Sequence, residues 1–180
     1  MGISYKMMAA LVKFRHGSSV EISDRVNQFN IKSGSTVVDY GCGPGRYTQL
    51  FSDKVGSGKV YAVDIEPEAI KDIQKLIVKK NLQNVVPILA DGYTCSVPSE
   101  IADMIFAIDM FHRIESPDQF FKELNRIIKQ DGLIYIDYGH QPKESAILKI
   151  ENADILSIAE TTDECAICKK QYSSKSIRKV

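Results

Sequence analysis

The sequence lacks net charge: Lys and Arg number 23, and so do Asp and Glu, in 180 residues. No global field therefore draws in nucleic acid or an anionic membrane. It also lacks a long apolar run. A membrane span needs about 20 apolar residues. The stretch "MMAALV" (Met7–Val12) is too short even for a signal core and is followed at once by Lys13. A cytoplasmic protein is expected, with no membrane span. Cysteine is scarce, with Cys42, Cys95, Cys165 and Cys168 alone. In a reducing compartment these are thiols. Cys165 and Cys168 form a C-x-x-C, but no second pair completes a zinc site. On a strand the two point to opposite faces, so one ion cannot take both. No metal is expected. Repeats and low-complexity tracts are absent too, which excludes solenoids and arrays. One local bias stands out: Lys169–Val180 holds five basic residues and no acid. It reads as a solvated edge or tail, with contact to an anionic partner as the alternative.

What is present is an ordinary globular composition, 44% hydrophobic and 26% charged, at a length that suits one domain. Five apolar runs are short, rich in Val and Ile, and not alternating: "TVVDY" from Thr36, "KVYAVDI" from Lys59, "VVPILA" from Val85, "MIFAID" from Met104 and "LIYIDY" from Leu133. Parallel strands covered on both faces have this pattern. Helical stripes fall between them. Tyr47, Leu50 and Phe51 make one, and Ile70, Ile73, Leu76 and Ile77 another. In "SPDQFFKELNRIIKQDG", Ser116 and Gln119 suggest a capping box, Pro117 the first helical position, and Gly132 the end. Arg126 and Lys129 are assigned to its solvated face. The link before the fourth run is irregular.

Alternation of strand and helix predicts an α/β doubly wound, Rossmann-like parallel sheet of order 3-2-1-4-5 with right-handed crossovers. A reduced antiparallel C-terminal extension follows it. The chain reads as a single domain over residues 1–180. A helical segment (1–35, helices near 4–14 and 20–29) precedes a core (36–140). Residues 141–180 supply a helix, about 143–159, and a weak hairpin from "ECAICKK" and "SKSIRKV".

The stretch "VVDYGCGPGRYT" (Val37–Thr48) carries the chemistry. Glycine-rich turns after a first strand hold cofactors. Dinucleotides require G-x-G-x-x-G. Here Gly41, Gly43 and Gly45 alternate, and Arg46 stands where the third glycine of that fingerprint belongs. Asp39 precedes the turn. Beside a pyrophosphate it is a like-charge penalty. Beside an ammonium and a sulfonium, as in S-adenosylmethionine, it is favourable. Asp64 ends the second strand, where an acid accepts bonds from ribose hydroxyls. Ile65 is placed to pack on adenine. Asp91, before Gly92, is either an acceptor for an exocyclic amine or a turn acid.

With these residues the chain resembles the class I S-adenosylmethionine-dependent methyltransferases, and among them the ubiquinone/menaquinone C-methyltransferase-like group. The similarity runs from about Ile31 to Tyr138, through "VVDYGCGPGRYT", "VYAVDIEPEAI", "ADGY", "ADMIFAIDMFHRI" and "LNRIIKQDGLIYIDY". It implies that Asp39, Gly41 and Gly43 surround the methionine part of the cofactor, and Tyr40 and Gly45 are counted with them as cofactor-binding. It places Asp64 and Ile65 at ribose and adenine, Asp91 and Gly92 near the adenine amine, and Asp109 near the transferred methyl. The tail after the fifth strand is short, and the family's final strand pair with its long insertions is reduced or absent.

Methyl transfer needs alignment and desolvation, and a base only if the acceptor loses a proton. His112 is the catalytic candidate because its titration range suits a base. A structural ring bonded to backbone is the rival. Tyr138, Arg113 and His140 are candidates for the pocket wall, and His16 for a lid. A small-molecule acceptor is expected and nucleic acid is not, since no "NPPY"-type tetrapeptide follows the fourth strand. A non-catalytic cofactor-binding module, an RNA or protein methyltransferase and an NAD-dependent oxidoreductase are the alternatives. The short tail leaves the pocket open or completed by a partner. A homodimer is left open.

Overall fold

The computed structural model describes residues 19–171. The helix expected at 4–14, His16 and the "SKSIRKV" segment lie outside them. In chain order the elements are α1 (Ser19–Gln28), β1 (Thr36–Tyr40), α2 (Arg46–Val55), β2 (Lys59–Asp64), α3 (Pro67–Lys80), β3 (Val85–Leu89) and β4 (Ala102–Ala107). A 3-10 turn (Phe111–Arg113), α4 (Pro117–Ile127), β5 (Ile128–Asp137), α5 (Lys143–Ala153), β6 (Leu156–Thr161) and β7 (Cys165–Lys170) follow. The described residues form a seven-stranded sheet of order β3-β2-β1-β4-β5-β7-β6. β1 to β5 are parallel, and β7 pairs antiparallel with both β5 and β6. The expected order and the antiparallel extension are both present.

Successive strand residues separate into two cores, because side chains alternate across a sheet. Val37, Val60, Ala62, Met104, Phe106 and Tyr135 face one core, with Val26 of α1, Phe51 of α2 and Ile73 of α3. Val38, Tyr40, Val63, Ile105 and Ile136 face the other, with Phe120 and Leu124 of α4 and Ile150 of α5. Coverage on both faces is why the strands read as unbroken apolar runs. Cys165 packs in the first core and Cys168 in the second. Burial raises both thiols, Cys168 to about 12.

Several local expectations are corrected. Pro117 does open α4, but Ser116 makes no side-chain cap. The Tyr93 hydroxyl instead accepts from the backbone N–H groups of Glu115 and Ser116 at 3.2 and 3.1 Å. α4 ends at Ile127 rather than Gly132. Ile128 already pairs with Ala102, and the register then jumps to Met104 opposite Leu133, so "KQDG" bulges from β5. Lys129, on that bulge, pairs with Asp103 at 2.6 Å. Arg126 is not simply solvated: it holds the buried Glu123 at 2.6 Å and the Cys95 carbonyl at 3.1 Å. The C-terminal helix stops at Ala153, closed by Asp154 in a left-handed turn (φ 50°). The residues expected to continue it form β6, which pairs antiparallel with β7 as a hairpin.

Candidate active site

The loop between β1 and α2 sits at the carboxyl ends of the parallel strands, where ligands of such sheets bind. Gly41, Gly43 and Gly45 all take positive φ, at 83°, 50° and 84°. A Cβ at Gly45 would lie 2.7 Å from Ile73 and from Leu76, so only glycine lets α3 pack this close. A Cβ at Gly43 would meet nothing within 4 Å, so that side of the loop is open. The loop amides are turned inward. Gly41 and Cys42 both donate to the Val63 carbonyl, at 2.8 and 3.0 Å, and Gly43 donates to Asp64 Oδ2 at 2.8 Å. Amides so engaged do not present the outward nest that a pyrophosphate needs.

Asp64 is half-buried, and its other oxygen accepts from the Glu66 amide at 2.9 Å. Burial raises its pKa against those two bonds. Ile65, beside it, is 57% exposed and offers an apolar platform. Asp39 is 3% exposed and accepts from the Thr48 hydroxyl at 2.5 Å. It lies beneath the loop rather than on its surface. Burial, helped by the charge of Asp64 and opposed by Thr48, lifts its pKa to about 7. The Tyr40 side chain is committed to the core, donating to the Tyr93 carbonyl at 2.7 Å and packing edge-on against Phe120. Only its main chain is at the loop. Asp91 and Gly92 are exposed beyond β3, in a turn where Asp91 bridges to Thr94.

After β4, Asp109 takes a left-handed conformation (φ 54°), and Met110 packs against Gly41. Asp109 Oδ1 lies 3.5 Å from His140 Nε2. His112, in the 3-10 turn, meets His140 edge-to-face at 4.8 Å. Its Nδ1 is buried against Gly139, with no hydrogen-bond partner among the described residues. Burial lowers its pKa, against the raising effect of Asp109, so the ring is neutral at neutral pH.

Beside Asp109 and His140 lies a cavity of about 500 Å³. Its wall is acidic: Glu21 and Asp24 from α1, Asp137 from the end of β5 and Glu164 from the β6–β7 turn, with Arg25 among them. Arg25 bonds Asp137 at 2.5 Å, Glu164 at 3.1 Å and the Tyr47 hydroxyl at 3.2 Å. Sequence reasoning found Asp109 and His140 but not Arg25, Asp137 or Glu164. Tyr47 was read only as part of a core stripe. No local pattern marks these four, because they meet from four separate elements.

Comparison with known proteins accords with this geometry. The profile of a family described as "Methyltransferase domain" matches residues 31–178. (S)-coclaurine N-methyltransferase of Thalictrum flavum subsp. glaucum is 29% identical over 108 residues, 60% of this chain and 30% of that protein. A fibrillarin-like rRNA/tRNA 2'-O-methyltransferase of Thermococcus onnurineus is 35% identical over 91 residues, 47% of this chain and 38% of that one. The chain thus spans about a third of the length of these curated relatives. A crystal structure of a SAM-dependent methyltransferase from Aquifex aeolicus superposes with a TM-score of 0.72 at 26% identity, covering 90% of this chain and 97% of that one. No helix among the described residues is long and apolar enough to cross a membrane. The match over most of the chain, on a Rossmann-like sheet with this loop, places the chain in that methyltransferase-domain family.

Proposed function

We propose that the chain methylates a small, uncharged or cationic molecule held in the acidic cavity beside Asp109. The observation that carries this reading is the wall of that cavity, where Glu21, Asp24, Asp109, Asp137 and Glu164 outnumber Arg25. Such a field repels a phosphate backbone and tolerates a neutral or positive acceptor. Relatives named for both kinds of acceptor exist, coclaurine on one side and rRNA/tRNA on the other. The charge of the wall favours the first kind. The likeness to quinone C-methyltransferases is one of cofactor motifs and does not select an acceptor.

Bound S-adenosylmethionine supplies an activated methyl on a sulfonium. In the proposed arrangement the main chain at Gly41 and Gly43 lies along its methionine part. Asp64 keeps lone pairs for ribose hydroxyls, and Ile65 covers adenine. Asp91 and Gly92 sit near the adenine amine. Asp39 acts from below the loop through its field, and Asp109 lies between cofactor and acceptor. His112, neutral and close to Asp109, takes the acceptor's proton where there is one to take.

The burial of Asp39 has a measurable consequence. With a pKa of about 7 in the free protein, it is largely protonated at pH 6. A cationic cofactor stabilises the carboxylate, so binding releases a proton and tightens as pH rises. Calorimetry between pH 5.5 and 7.5, below the α-amino titration near about 8, is expected to show affinity rising on the order of tenfold. Asp39→Asn should bind more weakly at pH 7.5 and lose most of that slope. A slope equal to wild type would remove Asp39 from the linkage.

The function itself is tested with radiolabelled S-adenosylmethionine, offered with small amines, phenols, thiols and quinols, and separately with total RNA. Label is expected in a small acceptor and not in RNA. Label in RNA alone would overturn the proposal, and no transfer to any acceptor would favour a non-catalytic module.

A further inference from the structure

Asp109, His112 and His140 come from three segments: the residues just after β4, the 3-10 turn, and the loop after β5. One ligand atom of each lies within 4.8 Å of the others. Two donors on one ion, each bonded at about 2.0–2.1 Å, stand at most about 4.2 Å apart. The Asp109–His140 pair, at 3.5 Å, already falls in that range. The remaining contraction is small, and the His140 side chain, 49% exposed, has room to make it. His112 also carries a ring nitrogen, Nδ1 against Gly139, that has no hydrogen-bond partner among the described residues. Buried polar atoms are normally satisfied, and those that are not point to an absent water or ion.

The donor set is informative. Two imidazoles and one carboxylate suit zinc, iron(II), cobalt(II) or manganese rather than calcium or magnesium, which prefer all-oxygen ligands. Three protein ligands leave coordination positions open. Asp109 and His140 both line the acidic cavity, so an ion they hold has access to that space. Asp137 and Glu164 on the same wall add a negative field that favours a cation.

We propose that Asp109, His112 and His140 form a divalent transition-metal site whose open positions take a hydroxyl or thiol of the acceptor. Metal binding stands on these three residues alone. The acceptor's coordination rests on reading the cavity as the acceptor site. A coordinated hydroxyl or thiol loses its proton more readily, and the proton passes to solvent. The oxygen or sulfur lone pair is then ready to form the bond to the methyl carbon as the sulfonium–carbon bond breaks and its electron pair stays on sulfur. With an ion in place His112 serves as a ligand, and the ion replaces it as the means of deprotonation. The acceptor class narrows accordingly to uncharged molecules carrying a hydroxyl or thiol.

The experiment is a cobalt(II) titration of the untagged full chain, followed by visible absorption and checked by zinc displacement. One equivalent is expected to bind, with d–d bands typical of nitrogen and oxygen ligands. His140→Ala alters an exposed side chain, and Asp109→Asn keeps a residue type that tolerates positive φ. Each is expected to weaken cobalt binding at least about tenfold, with the circular dichroism spectrum unchanged. Failure of wild type to bind stoichiometrically, or wild-type affinity in both variants, overturns the site. Binding of S-adenosylhomocysteine to the metal-free wild type is measured alongside. Its loss would count against the cofactor assignment without touching the metal site, whereas its presence with no cobalt bound would defeat the metal site alone.

Discussion

Asp64→Ala is expected to lower the affinity for S-adenosylmethionine by about ten- to a hundredfold while the domain stays folded. The proposed ribose contacts are charge-assisted hydrogen bonds, each about 1.5–3 kcal/mol, and water recovers part of that loss. Stability should change little, for a specific reason. Burial already opposes the charge on Asp64, so removing the carboxylate relieves a cost as well as breaking its bonds to Gly43 and Glu66. The freed Glu66 amide lies at the surface, where water can reach it, and the Gly43 amide is only part-buried. Calorimetric titration and a thermal melt of the same sample separate the two effects. Wild-type affinity in a folded variant would take Asp64 out of the cofactor site. Asp64→Asn, which keeps an acceptor oxygen but not the charge, should fall between the two.

Phe106→Ala is the largest expected loss of stability, about 3–5 kcal/mol. The ring is fully buried near the carboxyl end of β4. It stacks on Phe51 at 4.5 Å and on Tyr135 at 4.8 Å, and tilts against Phe29 at 4.7 Å. Its neighbours come from α2, β5 and the end of α1, so truncation leaves a void bounded by three elements that cannot all close in. For a chain of this size the melting temperature should drop by roughly 10 °C. Phe106→Leu retains most of the volume and should cost less than half as much. Urea denaturation of both variants provides the test. A loss below about 1 kcal/mol for the alanine variant would show that the stack adjusts freely.

The parallel strands were legible in the sequence because sheet residues such as Val37 and Val38 are buried on opposite faces, so the run never alternates. The glycine loop was legible for a different reason: its three glycines and Asp39 lie within a dozen consecutive residues. Boundaries failed where an element ends without a breaker. Ile127 closes a helix and Ile128 opens a strand, while Gly132, which looked like a stop, lies in a bulge against the Asp103 carbonyl. β6 was missed because only Leu156 along it is buried, leaving too little apolar pattern to tell strand from helix. The acidic cavity was illegible in principle. Arg25, Tyr47, Asp137 and Glu164 are ordinary surface-type residues until the fold gathers them.

The placement of β7 has a consequence for synthesis on the ribosome. β6 is made before β7, yet among the described residues it pairs into the sheet only through β7, which also covers the outer edge of β5. The nascent chain can assemble β1 to β5 in order as each emerges, since every one after β1 finds a partner already made. β6 has none, and the edge of β5 stays bare until Cys165–Lys170 arrives. Glu164, which anchors Arg25 of α1, is delivered at the same moment. The glycine loop is therefore complete well before the wall of the acidic cavity, and a growing chain gains the proposed cofactor face first and the proposed acceptor chamber last.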